Sequence, residues 1–232
     1  QVLMKRNLIG DLLWALSLLI ITAFLIFPQT HQIFVRWSSN YPYVMGFIKF
    51  AILASMGEML ALRLAQSTWK RPIGLVYKMI VWGILGVMIT FMFSFYATGV
   101  SAILERGKLP LGNGPLSTTF TAFLTSALMN LTFGIVFMAL HRMSDTTIEM
   151  RVNHKKPTLQ EVIQVIDWDA FIRFVVFKTI PLFWIPAHTI TFTLPPQYRV
   201  IAAAYLSIFL GVILAYASRK QKQNHINKDL IG

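Results

Sequence analysis

Twenty apolar residues in a helix reach about 30 Å, the thickness of a bilayer's hydrocarbon core. Residues 8–27 form such a run, broken only by Asp11 near its start. Comparable runs cover residues 44–65, 73–104, 119–140, 171–194 and 200–217. Backbone polar groups cannot face lipid unpaired, so a run of this kind is read as a helix. The expected fold is therefore all-α, a polytopic membrane helix bundle with about six spans. Composition agrees, with 56% hydrophobic and 13% charged residues, where soluble domains carry about 25% charge. The runs are apolar all round rather than striped, which argues against an oily soluble helical protein.

Between these runs the chain divides into three parts. Residues 1–43 hold an N-terminal span and a linker whose middle suits a short helix at the interface, with Trp37, Tyr41 and Tyr43 as belt residues. The stretch FLIFPQT lacks a small-residue cleavage site, so the first span is expected to be retained. Residues 44–217 form the main bundle, and residues 218–232 a basic, frayed cytoplasmic tail. Residues 105–115 carry repeated turn formers and read as a loop. Residues 141–170 are the longest polar segment, in which DTTIEM and PTLQEVIQVIDWDAF suit short surface helices. Thr158 and Glu161, three apart, fit a capping box.

Charge sets the orientation. With six spans, 14 of the 21 Lys and Arg residues fall on the side of the termini and 5 on the other. This asymmetry predicts cytoplasmic termini. The formal net charge of +12 is assigned to orientation and to anionic headgroups on the inner side rather than to nucleic acid. The chain has no cysteine, which excludes disulfides and thiolate-held metals. No metal site, cofactor or local catalytic signature is read from the residues, and no enzyme activity is expected.

The awkward residues concentrate late in the chain. Residues 183–200, FWIPAHTITFTLPPQYRV, combine three prolines, His188 and threonines at 189, 191 and 193. Lipid tolerates this only where protein surrounds it or water reaches it. Pro181 and Pro186 each remove a backbone donor, so the fifth helix is expected to kink or break there. The threonines can rejoin the bonds that the prolines disrupt. Ala122, Ser126, Asn130 and Gly134 form a small, polar ridge on the fourth span, and Ala203, Ser207, Gly211 and Ala215 one on the sixth. Glu58 and Lys178 lie at equal depth, roughly 10 Å below the inner boundary by helical rise. They are expected to face each other, as a packing pair or as the charged lining of a cavity, unless both snorkel to the headgroups. Asp169 and Arg173 suit a local i,i+4 pair. His188 shares a helical side with Trp184 and is expected to serve packing through a hydrogen bond more than proton relay.

The same block resembles the Mpv17/PMP22 membrane proteins of mitochondrial and peroxisomal membranes. The resemblance runs from Trp37 to Tyr216. It rests on Gly57 and Glu58, on Gly83, Gly86, Tyr96 and Pro110, and most on Trp184, Pro186, His188, Phe192, Pro196 and Arg199. Ile185 separates Trp184 from Pro186, His188 stands in place of glutamine, and Thr191 or Thr193 in place of asparagine. The N-terminal span is additional. The resemblance implies a distant, bacterial member located in the inner membrane, ahead of an organelle membrane. It also implies a permeability role, with Glu58, Lys178, Trp184 and His188 near any pathway. Two functions stand open: a small-solute channel or transport-related protein, and a structural or accessory subunit in a homo-oligomer or larger membrane complex.

Overall fold

The computed structural model describes residues 2–107, 115–153 and 156–229, and every element there is helical. In order these are α1 (Val2–Ile26), α2 (Pro28–Asn40), α3 (Pro42–Gln66), α4 (Leu75–Glu105) and α5 (Pro115–Met129). A π-helical turn, π1 (Asn130–Gly134), leads into α6 (Ile135–Val152). Then come α7 (Leu159–Val165), the short α8 (Trp168–Ala170), a second π segment, π2 (Phe171–Trp184), α9 (Ile185–Thr193) and α10 (Pro196–Asp229). Six stretches are long and apolar enough to cross a membrane: Asn7–Ile26, Pro42–Gln66, Leu75–Glu105, Leu116–Val152, Trp168–Thr193 and Pro196–Ile213. The chain is a multi-pass membrane protein.

Proline punctuates these helices. Pro28, Pro42, Pro115 and Pro196 each open one, a position where the missing N–H is an orphan anyway. The expected interfacial helix is present as α2, and Thr158 with Glu161 forms the expected capping box at α7. Most of the turn-rich loop, residues 108–114, lies outside the described residues. Two expectations are corrected. DTTIEM is not a separate surface helix but the continuation of the fourth span, whose helix runs unbroken to Val152. The tail after residue 217 is not frayed from its start, since α10 continues to Asp229.

Small residues bring α3 into close contact with both neighbours. A Cβ added to Gly86 of α4 would collide with the Gly46 carbonyl and stand 2.7 Å from Phe50 Cβ. On the other side, a Cβ on Gly211 of α10 would lie 2.9 Å from the Gly57 carbonyl, and one on Gly57 3.1 Å from the Ser207 carbonyl. The sixth-span ridge therefore packs on α3, although the Ala215 side chain lies outside the described ones. The fourth-span ridge packs on α9, where Ser126 Oγ donates to the Ile185 carbonyl at 2.8 Å. Helix α1 is the least enclosed span. It is tied by Trp14 Nε1 to the Met56 carbonyl at 3.1 Å, by Thr22 to Tyr205 at 2.8 Å, and by Asp11 to both Arg63 (2.9 Å) and Trp69 (2.7 Å).

The expected interruption of the fifth span takes the form of a change of register. Pro181 sits inside π2 and Pro186 just after it, in the first turn of α9. In π2 the bonds reach back five residues. Thr179 Oγ1 donates to the Phe174 carbonyl at 3.0 Å, and the Ile185 N–H closes the segment on the Ile180 carbonyl. A wider turn accommodates a proline whose ring would crowd an α-helical ladder. The threonines at 189, 191 and 193 bond the carbonyls of Ile185, Ala187 and Ile190. None of the three reaches the carbonyls four or five residues before Pro186, which its missing N–H leaves without a donor.

Candidate functional site

Where α3, α4, π1, α6, π2, α9 and α10 converge they line a half-open cavity of about 270 Å³. Its long walls are apolar, among them Phe50, Phe93, Phe137 and Ile180, and its two ends are polar.

At one end Lys78 projects from the first turn of α4. Its side chain is only 5% exposed, so its charge needs partners. Nζ donates to Glu58 Oε1 at 2.6 Å and to Glu149 Oε1 at 3.2 Å, and lies 4.0 Å from Asp145 Oδ1. Asp145 Oδ2 in turn lies 3.6 Å from His141 Nε2. Residues 141, 145 and 149 succeed one another by one helical turn, so the unbroken helix α6 presents all three on one side. The His141 ring rests against Trp82, with centroids 4.2 Å apart. Three carboxyl groups thus share one ammonium, which gives this end a surplus of acids.

At the other end stand Asn130, Trp184 and His188. Asn130 opens π1, where its Nδ2 donates to the Ser126 carbonyl at 2.8 Å. Capture of a main-chain carbonyl by a side chain accompanies the widened turn. The same Nδ2 lies 3.1 Å from His188 Nδ1. His188 Nδ1 also lies 3.3 Å from Asn130 Oδ1, so the amide can pair with this ring nitrogen as donor or as acceptor. His188 stacks on Trp184 at 5.0 Å and takes the edge of Phe93 at 5.4 Å. The shared side of His188 and Trp184, and the hydrogen bond of His188, match expectation. Asn130→Ala is expected to strand both the Ser126 carbonyl and His188 and to cost about 1–3 kcal/mol, read as a lower unfolding midpoint in detergent.

The structure thus brings Glu58, Asn130, Trp184 and His188 to one cavity and leaves two candidates elsewhere. Lys178 is exposed on π2 and does not face Glu58. The partner of Glu58 is Lys78. Helix α3 packs along α4, which carries Lys78. Arg199 lies near the start of α10 and lines two other pockets. Asp169 and Arg173 pair at 2.8 Å on the surface, as expected. The residues that sequence reading missed are Lys78, Trp82, His141, Asp145 and Glu149. Their signal was the four-residue spacing of the last three, obscured because that stretch read as a polar connection.

Five residues that line this cavity each carry a buried polar atom with no hydrogen-bond partner among the described residues: Glu58 Oε2, Trp82 Nε1, His141 Nδ1, Asp145 Oδ1 and Trp184 Nε1. Buried polar atoms are nearly always satisfied by protein, water or a bound group. That all five residues border one cavity marks its surroundings as short of hydrogen-bond partners.

No family model matches the chain, and neither a curated protein nor a solved structure does.

Proposed function

We propose that this chain is a transport-related membrane protein in which the central cavity holds a small polar solute on its way across the bilayer. The observation that carries the reading is the set of five residues around one cavity that each hold a buried polar atom without a hydrogen bond among the described residues. A volume of about 270 Å³ lies below the 300–1,000 Å³ of sites for drug-sized ligands. Each water takes about 30 Å³, so the occupant is an ion with its waters or a solute of few heavy atoms. Two donors (the indoles of Trp82 and Trp184) and the carboxyl oxygens of Glu58 and Asp145 supply both hydrogen-bonding roles. Polar groups of this kind inside spans mark solute or ion pathways elsewhere. The resemblance to Mpv17/PMP22 proteins supports the same role, and membership of that family belongs to this proposal. So does the location, a bacterial inner membrane with both termini cytoplasmic, which rests on the distribution of Lys and Arg.

The test is solute entry into liposomes carrying the purified protein, with a panel of ions and small metabolites. Wild-type protein is expected to pass at least one of them. Glu58→Gln and His141→Phe are expected to lower that rate tenfold or more while the protein stays monodisperse. Absence of flux for every solute would sink the proposal. If a second membrane protein also co-purified in mild detergent, the accessory-subunit reading would replace it.

A further inference from the structure

A second polar site lies at the end of α3 and α10 remote from Lys78, and it is built from cations. Lys49, in the second turn of α3, is 6% exposed. Its Nζ donates to Ser38 Oγ at 2.8 Å and stands 4.7 Å from the centre of the Phe34 ring. An ammonium has three protons to donate, and among the described residues no carboxylate lies within 4.0 Å of it. Arg199, half-buried, gives its Nε to the Leu194 carbonyl at 2.9 Å and rests 5.6 Å from the Phe192 ring. Its two terminal nitrogens have no protein partner among the described residues.

Both cations line one pocket of about 300 Å³, together with Ser38, Thr90, Ser94 and Gln197. No acidic residue is among its lining. Arg199 also borders an adjoining hydroxyl-rich pocket, of which Glu105 is the one acidic lining residue. Buried positive charge without a counter-charge is costly, and natural structures offset it with a partner. A guanidinium fork and an ammonium together match the oxygens of a tetrahedral oxyanion. This is the reverse of the Lys78 end, where acids outnumber the cation.

We propose that the pocket between Lys49 and Arg199 binds a phosphate group, with Lys49 Nζ and the terminal nitrogens of Arg199 as its donors. The group is either the headgroup phosphodiester of an anionic lipid or a free phosphate. The inference does not depend on solute passage through the central cavity.

The purified full chain provides the test, in two arms. In the first, its melting temperature is followed in a phosphate-free maltoside detergent as inorganic phosphate replaces chloride at constant ionic strength. In the second, native mass spectrometry counts phosphatidylglycerol retained after delipidation and re-addition, against phosphatidylcholine. A phosphate-dependent rise in melting temperature of several degrees, without retained lipid, identifies a free anion. Retained phosphatidylglycerol identifies a lipid headgroup. Either effect is expected to be lost in Lys49→Met and Arg199→Gln and kept in Arg173→Gln, whose guanidinium is exposed on the fifth span. Should Lys49→Met fail to fold, Arg199→Lys keeps the charge without the fork and is expected to weaken binding tenfold or more. The proposal is overturned if neither anion binds, or if all variants bind as the wild type does.

Discussion

Lys78→Met is expected to be the most damaging single substitution in the molecule, at about 3–5 kcal/mol of stability. The cost comes from what remains rather than from what is removed. Glu58, Asp145 and Glu149 converge on Nζ from α3 and α6. Without the ammonium, these carboxyl groups are left together at the edge of an apolar cavity. Each then loses its counter-charge and meets its neighbours' repulsion. The measurement is reversible unfolding in mixed micelles, compared with Lys78→Arg, which keeps the charge and is expected to recover most of the loss. The double variant Lys78→Met/Glu58→Gln provides the sharper check. Removing one orphaned carboxylate should restore part of the stability, so the two changes should not add. Strict additivity, or a Lys78→Met protein as stable as wild type, would show that the cluster is not a coupled unit.

Gly86→Ile is expected to cost about 3 kcal/mol or more, by a different mechanism. Helices α3 and α4 touch backbone to backbone at Gly46 and Gly86, and Thr90 crowds the same crossing. A branched side chain at residue 86 has no flexible neighbour to displace, because the atom it meets first is the Gly46 carbonyl oxygen. The helices must separate, and in lipid their association depends on such close packing. Separation would also pull Lys78 away from Glu58, since these residues sit on the same two helices. Gly99→Ile, on the same helix but with nothing within 4 Å of an added Cβ, serves as the control and is expected to be near neutral. Equal effects at residues 86 and 99 would refute the argument.

The two substitutions separate what was legible in the sequence from what was not. Asp11, Glu58 and Lys78 were all visible as charges in or beside apolar runs. Equal depth selected Lys178 as the partner of Glu58, and the structure gives Lys78 instead. Depth follows from counting residues along a helix, whereas facing follows from rotation about its axis. Fourteen residues of π-helix in the fifth span reset that rotation. Lys178 lies exposed on this segment. His141, Asp145 and Glu149 failed to register for a related reason. A stretch rich in polar residues reads as a connection, yet here the helix continues through it because α4 offers a cation to receive those groups. By contrast Asn130, Trp184 and His188 were readable. Polar and aromatic side chains in an apolar run must find a protein environment, and small ridges state which side packs.

Local physics alone determined the number of spans and the helical class. Run length against bilayer thickness, the obligation to pair every backbone group, and proline at helix starts are properties of short stretches of chain. Only the tertiary structure decided that Glu58 meets Lys78 rather than Lys178. It also decided that five residues with unsatisfied polar atoms line one cavity, and that Lys49 and Arg199 line a common pocket without an acid. These are relations between helices, fixed by close contacts at Gly46–Gly86 and Gly57–Gly211 and by the π register ahead of Pro186. A sequence pattern records which face of a helix is polar, and packing settles what that face meets.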